Sequence, residues 1–433
     1  MAGAPTDSEN SKRTAWGMAF VLFAVTLSAY IARVNVSVAL PYISQDFGWN
    51  AEQLGIYGGI LLGIFLVGYG VSNILLSSLV DRYGPRRSMF VAVAVFSVLT
   101  FLTGLIGLVF SFLVVARLLL GLSQGILFPS ASKVTQAWFK PSDRSKVNSL
   151  YLSSMHWSNL LVPLILIPII IITNWRYAFF TVALIGFAVL IPVYFYLRDC
   201  PECDRKKREQ KPLSEVIEKA RKDFRAALKI KGIFILSASD AAGNLVWWGI
   251  SLWLPTYLYF AKGLSAEQII LVASLPYLGG ILGLYLGSWL SDKTGKRVWI
   301  TFAFQLVGGV FVLLLINATS ISAIMICLAL IFFFISLLPP NVFTLLQGIS
   351  PPELVGSATG IMNGIAVGMG VLGPMILGVA VATTSSYDAG LIVMALMQVV
   401  SALILLLFLK QEKRARMPKP EPAPEITRST ETR

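Results

Sequence analysis

Twelve times along this chain a run of about 20 or more predominantly apolar residues recurs between short polar breaks. The runs lie near 16–41, 54–79, 88–109, 110–135, 145–171, 176–197, 231–260, 267–290, 298–317, 321–347, 355–381 and 388–410. A bilayer core of about 30 Å needs roughly 20 such residues in helical form. Inside it every backbone N–H and C=O must find a partner within the protein, which leaves helices and closed barrels as the spanning structures. Runs of this length read as helices rather than strands, so the chain is predicted to be an all-α membrane protein. The first run follows a polar 15-residue tail and is long enough to stay inserted rather than be cleaved as a leader.

The formal net charge of +13 raises the question of a nucleic-acid partner, and the placement of the charge answers it. Of 35 Lys and Arg, 30 fall in segments that twelve spans and a cytoplasmic N-terminus put inside the cell; Arg176 and Lys262 fall outside, and Arg33, Arg117 and Lys133 lie within spans. That is the positive-inside bias of a membrane protein. It predicts both termini in the cytoplasm and gives no reason to expect nucleic acid. The expected organisation is a tail at 1–15, a six-helix bundle at 16–197, a linker at 198–230, a second bundle at 231–410 and a tail at 411–433. The linker stretch "ARKDFRAALK" has the pattern of an amphipathic helix at the cytoplasmic surface. Cys200 and Cys203 form a CxxC in the linker, but a structural zinc site wants four ligands and no second pair or histidine lies nearby, so they read as ordinary reduced thiols and no metal is expected.

Across the linker the chain repeats itself. "DRYGPRR" from Asp81 returns as "DKTGKR" from Asp292, Pro141 returns as Pro352, and Pro163 returns as Pro374, each 211 residues later. A single offset shared by three features indicates a duplicated six-helix unit in the same orientation. Parallel repeats of this kind are one architecture of secondary transporters, with the binding site near the midplane between the halves. Glycines recur at close-packing intervals in span 2 (Gly59, Gly63), span 8 (Gly279, Gly283, Gly287) and span 11 (Gly360, Gly364, Gly368), faces that let helices approach closely in lipid and are expected to be packed.

In "SSLVDRYGPRR", Asp81 stands at a helix end beside Arg82, Arg86 and Arg87. A carboxylate among guanidinium groups can hold neighbouring helix ends by charge-assisted bonds, so these residues and Asp292 are candidate gating groups. This loop resembles the G-x-x-x-D-R-x-G-R-R signature of the major facilitator superfamily, with Ser77 in the place of its first Gly. "YIARVNVSVALP" followed by "DFGW", "RLLLGLSQGILFPSASKVTQAWF" and "WRYAFF" resemble, within that superfamily, the anion:cation symporters, which move organic anions such as sugar acids and aromatic or aliphatic carboxylates. "MHWSNLLVP" is similar to span five of the organophosphate:phosphate antiporters, the nearest competitor. The resemblance covers about residues 15 to 410. It implies the major facilitator fold and transport by alternating access.

An ionisable residue at bilayer depth costs at least about 2.5–3.5 kcal/mol on insertion scales, so Arg33 should face a wet cavity or a partner. It lies about 12 Å below Pro41 at the outer end of span 1, and Arg117 in span 4 lies at similar depth. Two planar guanidinium groups at one level suit a carboxylate or phosphate, and both are candidate substrate-binding residues. Lys133, near the cytoplasmic end of its span, reads as a snorkelling anchor. His156, the only histidine, is a candidate for anion binding or proton coupling. Asp240 is the one acidic residue in the interior of a span, a candidate for the coupling proton or for a salt bridge to an arginine, and Asn244 shares its face one turn on.

The resemblance adds Tyr30, Tyr69 and Asn363 as binding candidates. It also marks two departures: Ala32 and Gln124 stand where the symporters commonly have acidic residues associated with proton coupling, leaving Gln124 as a coupling position without a titrating group. Trp247 stands where a phosphate-ester exchanger would bring a second arginine. With Trp248 and Trp157 it is expected to form an aromatic cavity wall.

The resulting expectation is a transporter of the cell membrane carrying a small organic anion, by symport or exchange. Organophosphate/phosphate exchange is the alternative, and a non-transporting sensor with a transporter fold the remote one. No nucleophile, base and orienting group converge as in an enzyme. No cofactor is expected; a proton, sodium or a counter-anion could each be the coupling partner. Many proteins of this fold work as monomers in lipid, and a monomer is expected.

Overall fold

The structure is a computed structural model, and it describes residues 9–75, 80, 83–107, 109–139, 141–198, 213–351 and 354–409. Asp81, Arg82, Cys200, Cys203 and Pro352 lie outside the described residues. Among those described there is no strand, and twelve helical spans are long and apolar enough to cross a membrane: Thr14–Asp46, Ala51–Asn73, Pro85–Ile106, Phe110–Trp138, Lys146–Ile172, Trp175–Tyr196, Ile233–Phe260, Ala266–Thr294, Arg297–Asn317, Ile321–Ile349, Val355–Thr384 and Asp388–Leu406. They are numbered here as spans 1 to 12. An even number of crossings leaves the two chain ends and the linker at the same end of the bundle, called the linker end; the opposite one is the far end.

The helices run past the hydropathy boundaries where polar residues continue the backbone ladder. The helix of span 1 starts at Glu9, before the apolar run. Starts and stops follow local chemistry: Asn174 caps span 6 by accepting from the Arg176 N–H at 2.9 Å, and Ser265 and Gln268 form a capping box at the start of span 8.

The duplication is visible in three dimensions. Gly84 and Gly295, 211 residues apart, both adopt a left-handed backbone, with φ of 83° and 64°, a region that only glycine enters without strain. That is why the loop motif keeps a glycine three residues after each aspartate. Span 4 breaks between Gln124 and Leu127, and span 10 breaks between Ile335 and Leu338, at the same offset. Pro129 and Pro340 follow the breaks; each lacks an N–H and crowds the carbonyl four residues back. A Cβ at Gly68 would overlap the Leu118 carbonyl, and one at Gly279 the Ala329 carbonyl, again the same pair of positions in each half.

The halves meet through spans 1 and 7, 2 and 11, and 5 and 8. Toward the far end the contact is close. Ser37 donates to the Leu252 carbonyl at 2.6 Å and Gln45 to the Tyr259 hydroxyl at 2.9 Å. Gly55 and Gly378 leave no room for a Cβ on either side, and Gly59 and Gly63 face the Pro374 and Val371 carbonyls at 3.2 Å from where a Cβ would stand. Toward the linker end, span 11 faces open space. Gly356, Gly360 and Gly368 have no neighbour within 4 Å of a Cβ position. The expected packed glycine face is therefore real in spans 2 and 8 and absent along Gly360 and Gly368, because the halves are apart there. Arg86 donates to the Tyr194 carbonyl and lies over its ring at 5.3 Å, and Asp292 pairs with Arg297 at 2.5 Å. Both are contacts within one half, and Arg87 is exposed.

Candidate functional site

At mid-depth, where the two halves separate, span 1 turns Tyr30 and Arg33 onto one face, three residues apart and so adjacent on a helix. Arg33 is 3% exposed. Its guanidinium carbon lies 4.3 Å from the centre of the Tyr30 ring, 4.7 Å from Phe65, 4.6 Å from Tyr69 and 5.6 Å from Trp248. Three of these rings belong to the first half, and Trp248 reaches across from span 7. Each ring attracts the cation, by about 0.5–2 kcal/mol, and the Tyr30 and Tyr69 hydroxyls also come within hydrogen-bonding reach of it. Nη2 donates to the Gln124 Oε1 at 3.3 Å, and Nε is buried with no partner. No acidic residue pairs with it among the described residues.

Arg117 stands directly behind. Its Nη1 donates to the Ala32 carbonyl at 3.2 Å and its Nη2 to the Arg33 carbonyl at 2.9 Å, and it lies 5.2 Å from the centre of the Phe65 ring. The pair of equivalent arginines expected from the sequence is thus an unequal pair. The terminal nitrogens of Arg117 are committed to the backbone of span 1, where they fix the height at which Arg33 is presented, while its Nε, like that of Arg33, is buried without a partner. Gln124 does the same from its amide end, donating to the Ala29 carbonyl at 3.0 Å while its oxygen holds Arg33. An amide cannot carry a proton for coupling, and its geometry here is that of a bracket.

The second half supplies neutral groups and one acid. Asp240, 2% exposed, accepts from the Asn244 Nδ2 at 3.2 Å; no Lys, Arg or His lies within ion-pair distance among the described residues. The salt bridge to an arginine that the sequence suggested does not form, since Arg33 and Arg117 are engaged inside the first half. Asn244 is half-buried, and Asn363 on span 11 is half-buried with no side-chain hydrogen bond. His156 sits at the seam of spans 5 and 8, its ring 5.5 Å from Trp247 edge to face, with Nδ1 buried and unpartnered. Trp247 also meets Tyr277 and Phe332 edge to face. The two neighbouring tryptophans therefore reach across to different residues, Trp248 to Arg33 and Trp247 to His156. Trp157 does not join them: it is 40% exposed and makes no ring contact among the described residues, because one step along the helix turns it about 100° away from His156.

One residue of the site was not singled out in the sequence. Phe65 lies within reach of both guanidinium groups, and its signal was legible, one turn before Tyr69 on the same face. Asn35, buried with both amide atoms unpartnered, stands two residues after Arg33 and so about 200° around span 1 from it. At the far end, above the closed contacts, a cavity of about 480 Å³ is lined by residues of both halves, among them Asn50, Lys262, Tyr387 and Asp388. Lys262 donates to the Ile316 and Ala318 carbonyls at 2.9 and 2.7 Å. Partial burial there pulls its pKa below the usual lysine value, against the raising effect of Asp388.

Comparison with known proteins agrees with this architecture. The family model of the Major Facilitator Superfamily matches residues 22–374. A probable sulfoacetate transporter, SauU, of Cupriavidus necator is 30% identical over 380 residues, 83% of this chain and 86% of that protein. The hexuronate transporter of Bacillus subtilis is 25% identical over 410 residues, 90% of this chain and 93% of that protein. Among solved structures, a bacterial homologue of the human lysosomal transporter Spinster, crystallised in an inward-facing and unoccupied conformation, superimposes with a TM-score of 0.74 at 17% identity, covering 95% of this chain and 99% of that one.

Proposed function

Since the chain belongs to the major facilitator superfamily, and is thus a multi-pass transporter of the cell membrane rather than an enzyme, we propose that its cargo is a small organic anion bound at Arg33 and moved by alternating access. The observation that carries this reading is the state of Arg33: a buried fixed cation at mid-depth, between the halves, with aromatic rings around it, its Nε without a partner and no acidic partner among the described residues. A charge in that position is expensive. An oxyanion at the guanidinium completes it with charge-assisted hydrogen bonds.

In this reading Arg117 and Gln124 hold Arg33 in place, Tyr30, Tyr69 and Trp248 shape the approach, and His156, Asn244 and Asn363 offer polar contacts to the rest of the cargo. The named relatives, a probable sulfoacetate transporter and a hexuronate transporter, both point to organic acids, which supports the same class here. The linker end is taken as cytoplasmic, in keeping with the placement of Lys and Arg. Phosphate-ester exchange is less well supported, because span 7 brings two tryptophans to the site and no second free guanidinium.

The test is thermal stabilisation of the purified protein by sulfoacetate, hexuronates, sugar acids, dicarboxylates and phosphate esters, in wild type and Arg33→Ala. A ligand of the native state raises apparent stability by mass action. The expected outcome is stabilisation by one or more carboxylates or sulfonates that is lost in the variant. Stabilisation by phosphate esters alone, or equal stabilisation of the variant, would sink the reading.

A further inference from the structure

We infer that Asp240 is the proton-carrying site of the transport cycle, taking up one proton for each monoanion bound at Arg33. The inference rests on the proposed function and names its coupling ion.

Asp240 lies seven residues into span 7 from the linker end, about 10 Å deep at 1.5 Å per residue, on the helix face that Asn244 and Trp247 continue toward the centre. The carboxylate is 2% exposed and its hydrogen-bond partner is the Asn244 amide. The elements packed on span 7 bring it no counter-charge. Span 1 brings Arg33, whose guanidinium is held by Gln124 and the rings, and Tyr30 beside it. Span 8 brings Tyr277, which faces Trp247 and Phe332, while Asp292 at its linker end is paired with Arg297. At this depth spans 10, 11 and 12 present Asn341, Asn363 and Gln398, all neutral; Cys327 and Asp388 sit toward the far end, near Lys262. An ionised carboxylate without a cation is disfavoured in such surroundings, whereas its protonated form asks only for ordinary hydrogen bonds.

Charge balance connects this acid to the anion. With the site empty, Arg33 is positive and Asp240 negative, and the two sum to zero while the cleft is wet. Binding a monoanion at Arg33 adds one negative charge. If Asp240 then takes a proton from water in the cleft, forming an O–H bond and leaving hydroxide to be neutralised by bulk buffer, the loaded site has the same net charge as the empty one. The proton and the anion leave together on the other side, regenerating the carboxylate. Both reorienting forms thus carry equal charge through the membrane, which is the arrangement that avoids a charge penalty on either stroke. Gln124, at the corresponding position against Arg33, has no proton to offer.

The experiment uses the full chain in proteoliposomes containing a pH-sensitive dye, with whichever monoanion, hexuronate and galactonate first, stabilises the wild type. Wild type should accumulate the anion under an inward proton gradient and acidify the lumen as it does so. For a monoanion the rate should be insensitive to a potassium diffusion potential. Asp240→Asn should lose proton-driven accumulation by tenfold or more yet retain exchange of labelled for unlabelled anion across the membrane. Asp240→Glu should restore proton-driven uptake. Proton-driven accumulation undiminished in Asp240→Asn would overturn the inference, as would loss of exchange together with uptake in a folded Asp240→Asn, which would make the acid part of anion binding. Wild-type exchange with no response to a proton gradient would overturn it and leave the organic-anion reading standing; no exchange of any anion would instead remove that reading. Should Asp240→Asn fail to fold, proton uptake by lightly buffered wild type on adding the anion decides the matter, with about one proton per anion expected and none overturning the inference.

Discussion

The two halves are copies in backbone and opposites in chemistry. The first half uses its interior for fixed charge: Arg117 bonded to the backbone of span 1, Gln124 bracketing Arg33, and three aromatic rings around the guanidinium. At the positions 211 residues on from Arg33 and Arg117 the second half has the uncharged Asn244 and Leu328, and elsewhere in its interior it makes neutral pairs. Gln398 donates to Gln305 at 2.6 Å, Asn341 to the Ser291 and Thr301 hydroxyls at 2.8 and 2.7 Å, and Ser239 and Ser401 exchange hydrogen bonds with each other's carbonyls. The difference teaches that the duplicated fold sets where helices break and touch, while the cargo is recognised by what each copy placed on those shared positions afterwards. Because Asp240, the buried acid of the second half, pairs with no arginine of the first among the described residues, the halves can also move against each other without separating a buried ion pair.

The sharpest way to break that contrast is within the first half. Arg33→Ala should weaken anion affinity by about 30-fold or more, the scale of losing a buried charge partner, about 2–5 kcal/mol, with the melting temperature little changed in the absence of ligand. Arg117→Ala should do the reverse first, lowering the melting temperature because the Ala32 and Arg33 carbonyls lose their donor. Calorimetric titration and thermal melts on both variants check this; equal effects of the two on both readouts would mean that the arginines are equivalent after all.

Next in size is the contrast between the ends. Gly55→Ala puts a methyl group into the Gly378 carbonyl, an overpacking that costs about 1–3 kcal/mol where the structure must shift. It should shift the protein toward a far-end-open form, read as faster labelling of a cysteine introduced at Ser37. Gly360→Ala meets open space and should leave that labelling unchanged; a similar effect of both would show that the open linker end is not the resting arrangement.

In the second half, Asn341→Ala leaves the Ser291 and Thr301 hydroxyls without their shared donor and should cost about 1–3 kcal/mol of stability, measured as a lowered melting temperature without loss of anion affinity at permissive temperature. The smallest expected effect is that of Trp248→Leu, which removes one ring from Arg33 at about 0.5–2 kcal/mol. Its signature is a loss of affinity no greater than about thirtyfold with exchange retained, and abolition of binding would mean that the cage depends on the second half far more than the distances indicate.

Much of the site was written in the sequence as a list of unusual residues: arginines and an aspartate in apolar runs, a lone histidine, paired tryptophans. What the list lacked was direction. Trp157 and Trp247 looked equivalent as wall residues, but a helical step points the first outward while the second meets His156. Arg33 and Arg117 shared a depth, but depth along two helices leaves open which donors meet backbone carbonyls and which meet the cleft. The glycines of spans 8 and 11 had the same spacing, and only the positions of spans 10 and 2 made one face packed and the other open.

By itself the sequence determined the number of crossings, the two-fold repeat and the loop glycines with left-handed backbones, because each follows from local rules: a span needs its length of apolar residues, a fixed offset survives duplication, and a positive φ needs a residue without Cβ. The tertiary structure alone decided which arginine is free, where Asp240 finds no cation, and which end of the bundle is shut. Those outcomes depend on long-range contacts between helices far apart in the chain, where the energies that choose a partner act over a few ångströms and leave no periodic trace in the sequence.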